Sequence, residues 1–326
     1  VIFVMMAVTI PVDHLQSLRQ AFGNRLQERV SLQRYTAARI GGPADALVTV
    51  KTAGELTDAV KLCCEQGIPF TIMGSGSNIL VSEAGVRRLV ILNQAKRITF
   101  HTQKEPMAVW AESGTNFGAL ARQAAAEGLA GLEWAAGIPG TVGGAVYGNA
   151  GAHGGDMAGS LLVANILQLK PLKGDHLYEI SAEEWTVEQF AYGYRTSTIK
   201  HQPGRVAVLS ATLKLSQSTP EAVMVKMDEY RTMRKNSQPS GASLGSIFKN
   251  PPGDYAGRLI EAAGLKGMKI GEVEISHKHA NFFISHAGAT ASDYARLIRL
   301  AQERVQEKFG VSLELEIELL GDWTDG

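Results

Sequence analysis

Three short stretches hold the residue types most able to do chemistry. GSIFKNP, residues 245–251, sets a hydroxyl, Ser246, three positions before Lys249 and four before Asn250. A nucleophilic serine needs a base beside it, and this stretch supplies none; taken alone, Ser246 caps a turn before Pro251. YRTS, residues 194–197, offers Arg195, either a fork for an anion or one of many surface arginines. LELEIEL, residues 313–319, alternates Glu314, Glu316 and Glu318 with Leu313, Leu315, Ile317 and Leu319. That is the polar face of a strand, and alternation does not choose among the three carboxylates. His277, His279 and His286 form the only histidine group of interest. His277 and His279 read as sharing a strand face, but no carboxylate or cysteine stands at ligand spacing. We therefore expect no metal and read these histidines as structural or substrate-adjacent.

Two glycine-rich segments point to a cofactor. Gly74-Ser75-Gly76-Ser77-Asn78 fails as a dinucleotide fingerprint, because Ile79 replaces the third glycine and no long helix follows. Its chemistry still suits a pyrophosphate, with backbone N–H groups free to approach and donors from Ser77 and Asn78. GIPGTVGGAVYGNAGAHGG, residues 137–155, carries eight glycines in nineteen positions. So much backbone freedom costs stability. It reads as a wall stripped of side chains against a large flat cofactor. Together the segments suggest a flavin dinucleotide, one for the pyrophosphate and the other for the rest.

The elements that must position these groups alternate between short strands and helices. A helix is expected over 52–67, capped by Thr52, with Leu56, Val60 and Cys63 on one face and Gly67 as its stop. Strands follow at 70–73 and 79–81. A second helix covers 116–129, with Thr115 as its cap. Strands fill most of 161–215, and Pro220 opens a helix to residue 234. Residues 235–241 are the best boundary between domains. A helix near 254–263, a strand pair in 271–285, a helix over 292–309 stopped by Gly310 and a strand over 312–319 complete the chain. The expected class is α+β with three domains.

Composition limits the alternatives. The chain has 326 residues, with 32 Lys+Arg balanced by 32 Asp+Glu. General nucleic-acid binding needs a basic surface, which this balance does not provide; the local run Arg231, Arg234 and Lys235 reads as a solvated helix face. The two cysteines, Cys63 and Cys64, are adjacent inside a helix, which rules out a disulfide between them and fits a reducing cytoplasm. The apolar start, VIFVMM, is short and lacks a basic lead, so it reads as neither a signal peptide nor a membrane span.

Seven motifs, in order, are TAARIGGPAD (36–45), GSGSNIL (74–80), residues 137–155, YRTS, GSIFKNP, SHKHANFFI (276–284) and LELEIELLG (313–321). Together they closely resemble the UDP-N-acetylenolpyruvoylglucosamine reductase family, bacterial FAD enzymes of peptidoglycan precursor synthesis. The resemblance runs from about Leu15 to Gly321. It implies a two-domain FAD-binding module of the vanillyl-alcohol-oxidase type followed by an α+β substrate domain. The expected divisions are 12–81 joined by 312–321, then 82–215, then 216–311. It implies non-covalent FAD and NADPH as co-substrate. The expected reaction reduces an enolpyruvyl UDP-sugar in the bacterial cytoplasm, with no membrane, nucleic acid or obligate protein partner. The other reading kept is a different FAD oxidoreductase with the same cofactor domains.

By motif, the resemblance makes Ser246 the proton donor and makes Arg195 and Glu316 the stabilisers of an enol-like intermediate. It assigns Tyr194, Lys249 and Asn250 to substrate. To the cofactor it assigns Arg39, Gly74, Ser75, Gly76, Ser77, Asn78 and Ile79 from the first segment, and Gly137, Ile138, Pro139, Gly140, Gly143, Gly144, Asn149, Ala150 and Gly151 from the second. Arg195 and Ser246 are 246 − 195 = 51 positions apart, with only strands and one helix expected between them. That matches the shorter type of the family, so the lid tyrosine of the longer type is not carried over.

Overall fold

The computed structural model describes residues 9–171 and 178–323. It divides into two compact units. One comprises Val1–Leu47, Gly76–Leu89 and Lys235–Gly326; the other comprises Val48–Ser75 and Val90–Arg234.

The second unit is built on a five-stranded antiparallel sheet. Its order is Tyr178–Thr186, Leu161–Pro171, Val206–Lys214, Ala108–Glu112 and Ile98–His101. Helix Ala53–Glu65 starts where Thr52 accepts a hydrogen bond from Glu55 N–H and buries Leu56, Val60 and Cys63, as its 3.6-residue spacing requires. Helix Phe117–Ala126 buries Phe117, Leu120, Ala121 and Ala124. Its cap is Asn116, whose Oδ1 accepts from Ala119 N–H at 2.8 Å, and not the expected Thr115. Thr115 is withheld because its backbone is already bonded on both sides, to Glu112 and Val142, and its side chain is buried. The core gathers Phe117, Trp134, Val142, Val146, Phe190 and Leu213. Phe117 meets Trp134 edge-on at 5.2 Å.

The other unit contains the helix Val12–Phe22, and Gln27–Ser31 paired antiparallel with the start of Pro43–Val50. Its largest core lies between helix Ala291–Phe309 and the antiparallel strands Lys269–Ile270, Val273–Ile275 and Phe283–Ser285. Tyr294, Leu297, Ile298, Ala301 and Val305 form the inner stripe of that helix, and full burial of each leucine- or valine-sized side chain stabilises by about 1.5–3 kcal/mol. Gly310 ends it at φ 68°, in the left-handed region.

The alternating stretch 312–319 is mostly not a regular strand. Only Glu318–Leu320 forms one, parallel to Ile79–Val81. Residues 313–317 instead touch the Ser246 segment through the isolated bridge of Phe248 with Leu315. The helix expected to end at residue 234 continues to Ser237, and the one expected near 254–263 is Ala256–Ala262. Among the described residues no helix is long and apolar enough to cross a membrane.

The cysteines test the first core directly. Burial pushes the Cys63 thiol up to about 12 and the Cys64 thiol up to about 11. A disulfide-exchange reagent at pH 8 is therefore expected to label neither thiol in the native protein and both after unfolding.

Candidate active site

In the unit carrying residues 90–234, Arg195 occupies a strained position. Its φ is +55°, in the left-handed region that non-glycine residues rarely enter. The turn is held by an isolated bridge between Gly193 and Thr196. Below it, the fully buried Ser197 donates to Tyr147 O at 2.6 Å, and Asn149 Nδ2 donates to Gly193 O at 3.0 Å. The guanidinium donates to Gly151 O at 2.9 Å through Nη2 and to Asn149 O at 3.4 Å through Nη1, and lies over the exposed Tyr194 ring. So Tyr194, Arg195, Asn149 and Gly151, called from separate motifs, meet in one place. Asn149 commits both ends of its amide to protein, since its Oδ1 accepts from Ala158 N–H.

The second glycine segment is not all loop. Thr141 caps a short helix, Val142–Gly148, by accepting from Gly144 N–H, and Asn149 closes it at φ 45°. Gly143 is required there because a Cβ would stand 2.9 Å from the Ser113 side chain. Gly144 and Gly148 are different. Neither has positive φ, and a Cβ on either would meet nothing closer than 3.5 Å. Neither sterics nor the backbone demands glycine at these two positions, so the bare surface suits a ligand that lies against it. Gly137, Ile138, Pro139 and Gly140 form the turn leading in; Gly140 O accepts from Phe117 N–H.

Arg234 was missed. The basic run around it reads as a solvated face, but burial and the neighbouring Arg195 charge together hold its pKa down. An added Cβ at Gly137 would stand 3.4 Å from its Nε. One turn earlier on the same helix, Tyr230 stacks on His153 with centroids 4.2 Å apart. The Tyr230–Arg234 spacing of four was the available signal.

In the other unit, Ser246 lies in an extended segment bridged to Phe282. Glu316 is tied to it, since Glu316 N–H donates to Ile247 O at 2.8 Å. Asn78 Nδ2 donates to Glu316 O at 3.1 Å, which brings the first glycine motif to the same segment. Lys249 pairs with Glu314 at 3.3 Å. Asn250 Oδ1 accepts from Ala256 N–H at the first residue of helix Ala256–Ala262. Arg39, also at φ +55°, lines a surface depression with Gln33, Arg34 and Thr36.

Ser75, Gly76 and Ser77 lie in the short turn between strands Phe70–Met73 and Ile79–Val81. A glycine turn of this kind can aim backbone N–H groups at an anionic group such as a pyrophosphate. Gly76 is fixed by both sterics and conformation: φ is +60°, and a Cβ would stand 2.1 Å from Tyr35 O. Gly76→Ala is expected to destabilise the fold by about 2–3 kcal/mol, measurable by urea unfolding.

The histidines correct the sequence reading. Residues 277–279 lie in the turns between Val273–Ile275 and Phe283–Ser285, not on a strand. A carboxylate does stand among them, because Glu274 approaches His286 at 3.0 Å, His277 at 3.5 Å and Lys269 at 3.3 Å. Lys269 occupies one oxygen of that carboxylate. No group of three or more metal-ligating side chains able to hold an ion is found among the described residues.

Glycine segments and a bare helix face fit a flavin-dinucleotide-binding α+β protein, and residues 44–175 match the FAD binding domain family. Residues 237–320 match the C-terminal domain of UDP-N-acetylenolpyruvoylglucosamine reductase. Over 291 residues the chain is 45% identical to the reductase of that name from Rubrobacter xylanophilus, covering 89% of this chain and 94% of the relative. It is 38% identical to the one from Bacillus subtilis, covering 94% and 98%. The crystal structure of the reductase from Thermus caldophilus superposes with a TM-score of 0.74 at 37% identity, covering 91% of this chain and all of that one. The chain belongs to the UDP-N-acetylenolpyruvoylglucosamine reductase family, and its cofactor is FAD.

Proposed function

We propose that this chain uses NADPH to reduce the enolpyruvyl ether of a UDP-N-acetylglucosamine to UDP-N-acetylmuramate, in the cytoplasm of a bacterium. Near full-length identity to relatives that bear the reductase name carries the reading.

Bound FAD would supply the hydride chemistry between NADPH and the enolpyruvyl double bond. The amides of Ser75, Gly76 and Ser77 would hold its pyrophosphate, with Asn78 and Ile79 beside them; Gly144, together with Gly137 to Gly140, Gly143 and Asn149 to Gly151, would lie along the rest. Hydride addition to an unsaturated carboxylate moves negative charge onto the carboxyl oxygens. Arg195 meets that charge as a fixed cation, its backbone already committed to the required turn. Ser246 gives the proton that completes the lactyl ether; a hydroxyl is a weak acid, so it must face a strongly basic carbon and be held in position. Glu316, on the segment bonded to Ile247, assists with the enol and its proton. Tyr194, Lys249 and Asn250 contact the sugar nucleotide. The parallel pairing of Glu318–Leu320 with Ile79–Val81 supports joining 312–321 to 12–81, with 82–215 and 216–311 as the other two parts.

The purified protein is expected to be yellow and to oxidise NADPH only when the enolpyruvyl sugar nucleotide is present. Steady NADPH oxidation without that substrate, and no stimulation by it, would point instead to another FAD oxidoreductase.

A further inference from the structure

We propose that Asn281 is a positioning residue for the proton-transfer half of the reaction: its buried amide fixes the register of the segment carrying Ser246 and, through it, of the segment carrying Glu316. The inference rests on the proposed reductase reading.

Asn281 is 3% exposed. Its Oδ1 accepts from Phe248 N–H at 2.9 Å, and its Nδ2 donates to Phe248 O at 2.8 Å. Its own carbonyl accepts from Ile247 N–H at 2.9 Å. One residue therefore bonds the backbone of two consecutive residues, next to Ser246. On the far side, Lys249 N–H donates to Glu314 O at 2.9 Å and Glu316 N–H to Ile247 O at 2.8 Å.

Residues 246–249 thus lie between 281–282 and 314–316, yet no regular ladder runs on either side. Only isolated bridges occur, Ser246 with Phe282 and Phe248 with Leu315. A long strand sets its register by many repeated pairs; here few are available. The Asn281 amide is the side-chain group that selects Phe248, by presenting one acceptor and one donor to that residue's two backbone groups. Phe248 is fully buried, so losing the amide strands both groups away from water. The segment must then shift to find partners, and Ser246 shifts with it.

Leucine at 281 keeps the branched outline of asparagine, with bulkier ends, and offers no hydrogen bonds. Aspartate is more telling. A protonated carboxyl presents one acceptor and one O–H donor, as the amide does; an ionised one presents only acceptors and faces the Phe248 carbonyl. Burial raises the pKa of such an acid. The clamp should therefore persist below that raised pKa and fail as pH rises through it.

The test uses the holoenzyme in stopped-flow half-reactions. Asn281→Leu should leave flavin reduction by NADPH unchanged and slow reoxidation by the enolpyruvyl sugar nucleotide on the order of 100-fold. Amide exchange of residues 247–249 should speed up in parallel. Asn281→Asp should reoxidise like wild type at low pH and lose rate as pH rises, a limb that wild type lacks. Asn281→Leu should add little on a Ser246→Ala background, because it acts through that hydroxyl. A folded Asn281→Leu that reoxidises at the wild-type rate overturns the proposal, as does an Asn281→Asp profile parallel to wild type. If Asn281→Leu does not fold, the Asn281→Asp profile decides alone. Wild-type reduced enzyme that the sugar nucleotide fails to reoxidise overturns the reductase reading, and the inference with it.

Discussion

Ser246→Ala is expected to leave reduction of the flavin by NADPH intact and to slow reoxidation by the enolpyruvyl sugar nucleotide on the order of 10²- to 10⁴-fold, the usual worth of a positioned proton donor. The two half-reactions separate because only the second ends in a carbon that needs a proton. In the proposed role no general base is required beside the hydroxyl, since a proton donor donates and does not attack. Its position comes from contacts that the hydroxyl does not make: the bridge to Phe282, the bonds that tie Ile247 to Asn281 and to Glu316, and the Asn281 amide on Phe248. Removing one oxygen leaves those contacts in place, so thermal stability should hardly move. Equal slowing of both half-reactions would sink the proton-donor role and make Ser246 a structural residue.

Regular elements were legible where burial follows a simple period. The helices Ala53–Glu65 and Ala291–Phe309 bury the residues that their spacing implies, and the first has the expected cap, Thr52. Legibility failed where side chains replace ladders. The alternation of Leu313 to Leu319 reads as one strand, but most of that stretch meets the Ser246 segment by isolated contacts, and Leu319 ends up 39% exposed. Nothing local to Asn281 announces an amide reaching the backbone 33 positions away. The same holds for Asn250, whose carbonyl oxygen serves a helix start six residues on.

The glycines divide along the same line. A run of glycines announces that backbone matters but not which residue answers to sterics and which to a ligand. Gly76 and Gly143 are explained by the chain's own atoms, whereas Gly144 and Gly148 are not. Only coordinates separate the two kinds. Arg234 shows the converse: its charge suggested a solvated face, and its burial beside Arg195 was invisible without the fold.

Arg195 carries the other large effect, and two substitutions taken together isolate its backbone from its charge. Arg195→Ala and Arg195→Gly both remove the guanidinium that donates to Asn149 O and Gly151 O. Both should slow reoxidation by the sugar nucleotide on the order of 10²- to 10³-fold, as expected when one fixed donor to a developing oxyanion is lost. Their stabilities should differ. At φ +55° a Cβ is strained and glycine is not, so the glycine variant should be the more stable by about 1 kcal/mol. Urea unfolding of the two variants reads that difference, and stopped-flow reads the shared rate loss. Equal stabilities would mean that the turn relaxes once the guanidinium is gone, so that the side chain imposes the strain. A rate loss in the alanine variant alone would mean that the turn, and not the charge, supports the reaction. Arg195→Lys should rescue little, because an ammonium cannot serve two backbone carbonyls and a substrate carboxylate with the planar fork that Arg195 presents.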